Sequence, residues 1–517
     1  MARQRPHLEA RQLERAVAVG RVEPRAARLW MRTPTPGPHR LLLWREGREA
    51  PVLEAQVDAR PGPEDDGTWA LTVPDDVPGA APLEPLTRYR FALSVHEGLL
   101  VGTGHFRTPP EGPAQPSGRL AFAVSSCHQP FDRRGNWQAG ARSMLRAVAR
   151  TLEQEDAAFL LLCGDQVYAD KPNGLSLFDP AYFRTVAPPG RASLLECTAG
   201  EVRALYQGRH RSFWGLPELQ ALQSRLPTLM VLDDHDVVDN FGSFPEHGSP
   251  AWAAFRLGVR QAIHDYQHLR VAPRTGAPPP SFAFPVEWGG VGVFTLDLRS
   301  ERQAEGPPRI LGPGQWEALD AWLTAHRDAE AVFLVCSVPI AYLPARATAA
   351  LSRVLPGHDD VTDRWSHPQF LADRDRLLRR LLQHQREAQP GQRLVLLGGD
   401  VHVGYVHCLT WEGTDLPPIY QLTSSALSNQ SPWVALKAAS LLPRALSHVH
   451  PEGAPPLRVS MASGLAGQSQ NPVASLNLGL VEVTREGGRT RVRLRLATPG
   501  RGAKRGALSV AFDTGPL

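Results

Sequence analysis

The chain has 517 residues, 42% of them hydrophobic and 21% charged, with a formal net charge of +4. That is the balance of a globular protein with room for two or three domains and a large core. So small a net charge, without clustered basic residues, excludes a dominant nucleic-acid footprint, and no window approaches the roughly 20 apolar residues of a membrane span.

The first residues, MARQRPHLEARQLERAVAVG, are charged but lack the apolar core of a signal peptide. Residues 1–15 are therefore expected to form a tail, and the default location is cytoplasmic unless a mis-assigned start hides a leader. Five cysteines, at 127, 163, 197, 336 and 408, have no regular spacing, so no disulfide framework is suggested and a reducing compartment fits. Lysine occurs only at 171, 437 and 504; a compositional bias explains the arginine count, and only individual arginines are informative.

From 16 to 110 short apolar runs alternate with turn residues: AVAVGRV, ARLWMRT, HRLLLWRE, TWALTVP, YRFALSV and VGTGHFRT. This spacing, without helical periodicity, predicts a small all-β sandwich. TPPEGPAQPSG, 108–118, reads as a linker. From 119 to 517 the pattern changes to buried-strand runs, AFAVSS, AFLLLC, TLMVL, GVFTL, VFLVCSV and RLVLL, separated by helix-period segments. Met144, Val148 and Leu152 share a helical face, as do Phe255, Val259, Ile263 and Tyr266, and Trp316, Leu319 and Leu323. Such alternation predicts an α/β domain with parallel pairing. Residues 431–460 interrupt it; WVALKAASLLPRAL reads as an insertion or lid helix over the site or at a partner surface, or as a packed surface helix broken at Pro443. The run LVEVTREGGRTRVRLRLATPG alternates like a hairpin closing a sheet.

Nearly every strand run ends in a polar cluster: SSCHQ, GDQVYAD, DDHDVVDN, DLRSER and GGDVHVG. In open α/β sheets ligands bind beyond the carboxyl ends of strands, so these ends are expected to converge. Asp165 can bridge two cations, and Tyr168, three residues on, can add a phenolate, a hard ligand suited to trivalent iron; capping and core roles are the structural alternatives. The acids of DDHD repel one another unless a cation is present, with Asp234 the candidate ligand and His235 the candidate proton donor. Asp400 and His402 lie two apart, on one side of an extended segment. Cys127 ends the first strand as a candidate thiolate ligand, or as a buried free cysteine; Cys163 and Cys336 lie inside apolar runs as core residues. Arg299, beside Asp297, is a candidate phosphoryl clamp, or a structural salt bridge.

The ordered set SSC, GDQVYAD, DDHD, LDLRS, GGDVH and LTSS, with GRVEPRAARLWMRT and FRTPP before it, resembles the PhoD-like metallophosphoesterases, the alkaline phosphatase D family. The resemblance implies a four-layer α/β/β/α sandwich after an immunoglobulin- or fibronectin-like β domain. It implies phosphomonoester or phosphodiester hydrolysis with Fe³⁺ and Ca²⁺. Carried over, Cys127, Asp165, Tyr168 and His402 would surround the iron, and Asp165, Asp234 and Asp400 the second cation, with His235 near the leaving group. The related purple acid phosphatases have a histidine where this chain reads VCSVP, which favours oxygen ligands at the second site. Secreted members resembling the family carry a twin-arginine signal; its absence here points to an intracellular phosphoester, small-molecule, lipid or polymer.

The mechanism expected is in-line attack by a metal-bound hydroxide, with Arg299 on the equatorial oxygens and His235 at the departing alkoxide. A bimetal hydrolase of a non-phosphate ester, or a catalytically silent metal-holding protein, are the alternatives.

Overall fold

The expected strand runs form strands, some covered on both faces, as at Leu160–Cys163 and Ala331–Cys336, and some on one, as at Arg88–Val95. The computed structural model describes Leu8 and residues 13–95, 98–112, 118–354, 359–486, 489–500 and 506–517. Part of the expected tail and residues 113–117 of the expected linker thus lie outside the described residues.

Toward the N-terminus, Ala16–Val22, Ala27–Arg32 and Thr68–Val73 make a three-stranded antiparallel sheet. Gly37–Arg45, Leu53–Ala59, Arg88–Val95 and Leu100–Arg107 make a four-stranded one. Val19, Leu29, Leu71, Leu43, Phe91 and Phe106 fill a shared core between them. Leu53–Ala59 was not among the expected runs: it is an edge strand whose Glu54, Gln56 and Asp58 face solvent, so it lacks the apolar density that marks its neighbours.

Beyond residue 118 two larger sheets face each other. In the six-stranded sheet, Thr228–Val231, Leu160–Cys163 and Arg119–Ser125 run parallel, followed by Leu478–Glu486, Arg489–Thr498 and Ser509–Pro516 antiparallel. In the eight-stranded sheet, Val291–Leu296, Ala331–Cys336, Arg393–Gly398 and Ile419–Thr423 are parallel neighbours. Phe122, Val124 and Val481 of the first sheet pack on Val293, Phe333 and Val395 of the second. Helices cover the outer faces. Met144, Val148 and Leu152 of Ala139–Gln154 pack on the six-stranded sheet, and Trp316, Leu319 and Leu323 of Pro313–Ala325 on the eight-stranded one. Among the described residues no helix is long and apolar enough to cross a membrane.

The N-terminal sheets are tied to the rest by charge. Asp65 and Asp66, between Leu53–Ala59 and Thr68–Val73, reach Arg203 at 2.6 Å and Arg211 at 2.5 Å. Trp30 donates its indole N–H to the carbonyl of Asp265 at 2.8 Å.

Candidate metal centre

The carboxyl ends of both parallel strand sets open at one place, and the backbone there leaves its usual conformations. Cys127, Asp165, Asp400 and His402 have φ of 60°, 57°, 65° and 57°. Left-handed backbone is uncommon for residues with a side chain and clusters at functional sites. Two glycines make room: a Cβ on Gly164 would meet Cβ of Asp233 at 2.5 Å, and one on Gly399 would meet Ser126 at 2.4 Å. The expected extended segment from Asp400 to His402 is therefore absent. The strand ends at Gly398, and each side chain is aimed by its own left-handed turn.

Asp165 lies at the centre. Cys127 Sγ is 3.2 Å from its Oδ2, and the Tyr168 hydroxyl donates to the same oxygen at 3.1 Å. Ser425 donates to the sulfur at 3.1 Å. Burial, then the Asp165 charge, pushes both the Cys127 thiol and the Tyr168 phenol well above their ordinary values. His402, half-buried and lowered to about 4 chiefly by desolvation, has Nε2 3.2 Å from Asn429 Nδ2 and Nδ1 3.0 Å from Ser431 Oγ.

The strand at Thr228–Val231 stops before the acids, which form a 3-10 turn, Asp234–Asp236. The turn divides the four residues of DDHD by direction. Asp236 points inward and accepts from the backbone N–H groups of Asp165, Gln166, Val167 and Asp233 at 2.9–3.1 Å. Asp233 points inward to Arg299. Asp234 and His235 line the cleft.

One ligand atom each from Asp165, Asp234 and His235 lies within 4.8 Å of the others, and the same holds for Asp233, Asp234 and Asp400. Asp165 Oδ1, Asp233 Oδ2 and Asp234 Oδ1 are buried without a hydrogen-bond partner. Desolvation, reinforced by Asp234 and Asp233, pushes the Asp165 carboxyl well above the ordinary carboxylate range. Stranded buried oxygens of like sign are what a cation satisfies, and a bound cation reverses such shifts. The residues present therefore fit metal binding.

His235 is positioned by acids the sequence reading passed over. Its Nδ1 is 2.8 and 2.9 Å from the Asp170 oxygens and its Nε2 3.8 Å from Asp239, and its ring stacks on Tyr168 at 4.4 Å. Burial alone would lower its pKa, but Asp170, Asp234 and Asp165 outweigh it and raise it well above the ordinary value. Asp170 closes the GDQVYAD run, so its signal was its place in a cluster already in view.

Arg299 does not reach the cleft. It is fully buried, giving Asp233 a 2.5 Å bond, Asp363 bonds of 2.5 and 2.7 Å, and the Phe241 carbonyl one of 3.3 Å. The Asp297 carboxylate accepts backbone N–H groups, including that of Arg299. The expected phosphoryl clamp is thus corrected to the salt-bridge alternative: no face of this guanidinium is left for a substrate. The arginine in the cleft is Arg364, which pairs with Asp400 and lies 5.4 Å from the Tyr342 ring. No apolar run leads into it, so only the fold reveals it.

The cleft, about 420 Å³, has one apolar wall. The segment WVALKAASLLPRAL forms helices Trp433–Ala439 and Leu442–Ala445; Ala435, Leu436, Ala439 and Leu442 line the cleft, while Val434 and Leu441 are 71% and 62% exposed. Pro443 sits in the first turn of the second helix, where its missing N–H costs nothing.

The family model of the PhoD-like phosphatases matches residues 122–451, more than half of the chain. The chain belongs to the PhoD-like phosphatase family. Alkaline phosphatase D of Bacillus subtilis (strain 168) is 26% identical over 220 residues, 41% of this chain and 33% of that protein. The match thus spans about a third of the length of the curated relative. The solved structure of PhoD superposes with a TM-score of 0.65 at 17% identity, covering 98% of this chain and 90% of that one. A purple acid phosphatase, PPD1 from yellow lupin (Lupinus luteus) seeds, gives 0.52 at 11% identity, covering 96% and 74%. Both share the fold, mixed α/β with several sheets.

Proposed function

We propose that this member of the PhoD-like phosphatase family hydrolyses phosphomonoesters or phosphodiesters at the centre built around Asp165. The observation that carries the reading is the set of buried oxygens without a hydrogen bond on Asp165, Asp233 and Asp234 at the convergent strand ends of a chain in this family. In this reading Cys127, Asp165, Tyr168 and His402 hold Fe³⁺, because the hard phenolate suits a trivalent ion. Asp165, Asp234 and Asp400 hold Ca²⁺, because their oxygens suit a hard divalent one. When bound, the metals supply a Lewis acid for the phosphoryl oxygens and an acidified water.

The chain's own residues do the rest. His235, held at the cleft by Asp170, is the group to give a proton to the departing oxygen. Arg364 is the cation placed to meet the anionic phosphate, in the role first expected of Arg299. The apolar wall from Ala435 to Leu442 takes the organic part of the ester and excludes water from one side. The architecture that goes with this reading is an α/β/β/α sandwich at 119–517 behind an immunoglobulin- or fibronectin-like sandwich at 16–110. Its support is the apolar contact between facing sheets and the helices on their outer faces. Five unpaired thiols are consistent with a reducing, cytoplasmic setting.

The test is nitrophenol release from bis(p-nitrophenyl) phosphate and p-nitrophenyl phosphate, with Fe and Ca supplied, for the native chain beside Asp165→Asn. Metal-dependent release that the variant loses, together with its visible colour, is the expected result. A folded, metal-loaded chain that releases nothing from either ester would sink the reading. A colourless, iron-free and fully active one would sink the iron assignment alone.

A further inference from the structure

The three parallel strands that end at Cys127, Asp165 and Asp234 have a second concavity at their other ends. A cavity of about 420 Å³ is bordered by Ala157 and Ala158, which lead into Leu160–Cys163, and by Leu226 and Pro227, which lead into Thr228–Val231. Its walls are helices Ala139–Gln154 and Pro217–Arg225 and the N-terminal strands Arg88–Val95 and Leu100–Arg107. It shares no lining residue with the metal cleft. Asp165 stands seven residues past Ala158, roughly 20 Å at strand rise.

The floor is apolar, with Leu145, Leu152, Leu222 and Phe106 buried beneath it. The rim is cationic: Arg88, Arg107, Arg146, Arg150 and Arg225 against the acids Glu153, Asp156 and Glu218. The acids that pair are oversubscribed. Asp156 takes both Arg88, at 2.5 Å, and Arg107, at 2.7 Å, although Arg88 also has Glu46 at 3.8 Å. Glu218 takes both Arg146, at 2.7 Å, and Arg142, at 2.9 Å. Exposed Arg225 has no side-chain partner among the described residues, and neither has Arg90, where the groove continues past His105. Helix-end placement accounts for some of Arg225's stabilisation, but not for its standing with Arg90 at the edge of an apolar hollow without an acid partner among the described residues.

We propose that this cavity is a second ligand site, for a small amphipathic anion bearing a carboxylate, sulfonate or phosphate on an aromatic or short alkyl body. The body lies on Leu145, Ala149, Leu222 and Leu226, and the head faces Arg225 and its neighbours. The charge surplus supplies the head's partner and the floor supplies the burial.

The probe is 8-anilinonaphthalene-1-sulfonate, titrated into the metal-loaded full chain beside its uncharged analogue N-phenyl-1-naphthylamine. Saturable binding of the sulfonate is expected, weakened about tenfold or more in Arg225→Glu, with the uncharged dye unaffected by that change. Ala149→Trp, which fills the hollow, is expected to abolish both, and neither variant should alter bis(p-nitrophenyl) phosphate hydrolysis. Arg225 is exposed, so its variant keeps the test valid should the tryptophan variant not fold. Absence of saturable sulfonate binding, equal binding by Arg225→Glu, or equal loss of both dyes in it would overturn the proposal. A lipid headgroup carries the same chemistry: displacement of the dye by octanesulfonate supports a soluble ligand, and displacement by phosphatidylglycerol vesicles alone overturns it.

Discussion

Two charge clusters lie back to back across Asp233 and Asp234, and the protein treats them differently. Behind, Arg299 and Arg302 meet Asp233 and Asp363 in a buried set whose charges cancel within the chain. In front, Asp165 and Asp234 face one another, each with a buried oxygen that lacks a hydrogen bond. The chain supplies the first cluster with matching cations, one Asp233 oxygen aside, and leaves the second short of them. A dense group of acids in a sequence can therefore mean structure or chemistry, and whether matching cations stand beside it decides which.

The comparison breaks most directly on metal removal. Chelation is expected to reduce phosphoester hydrolysis to background while the chain stays folded, as circular dichroism would show. Restoring cations should then raise the melting temperature, with stabilisation approaching about 4 kcal/mol at a thousandfold excess over Kd. Unfolding on chelation would mean that the front cluster is structural too.

Arg299→Ala should do the opposite. Removing one member of a buried pair strands Asp233 and Asp363 and costs about 3–5 kcal/mol, read in denaturant unfolding. Arg364→Ala should lower kcat/KM about 10²-fold, the scale of a lost charge-stabilising donor, with a far smaller change in stability than Arg299→Ala. Equal stability losses in the two variants would erase the distinction.

Asp66 sharpens the comparison with a cluster that is balanced but nearer the surface. Although burial opposes it, hydrogen bonds from Arg32 and Tyr266 and the charge of Arg211 hold its carboxyl below the ordinary value. Its contribution is therefore full above the unfolded carboxylate pKa of about 3.9 and is lost as pH falls through the lower folded value. Asp66→Asn should cost about 2 kcal/mol near neutrality, and the deficit should shrink below pH of about 4 in acid-unfolding curves.

The buried strands of the two large sheets were legible because their apolar runs are dense, and the meeting of Cys127, Asp165 and Asp234 at the strand ends because each follows such a run. The edge strand Leu53–Ala59 was not, since one of its faces is wet. The direction of each side chain was also hidden. Asp233 and Asp236 differ from Asp234 and His235 only through a 3-10 turn, and Arg299 resembles a clamp until its partner Asp363, 64 residues away, is in place. Arg364 stands outside any strand run and joins the cleft only by tertiary packing.

The carboxylate of Asp236 gathers the N–H groups of three successive residues after one strand and of Asp233 after its neighbour. It fastens two loops with bonds that owe nothing to a metal. The receptacle thus stands before its contents arrive, so ions can be withdrawn and exchanged for others of different size or charge without the walls being rebuilt each time.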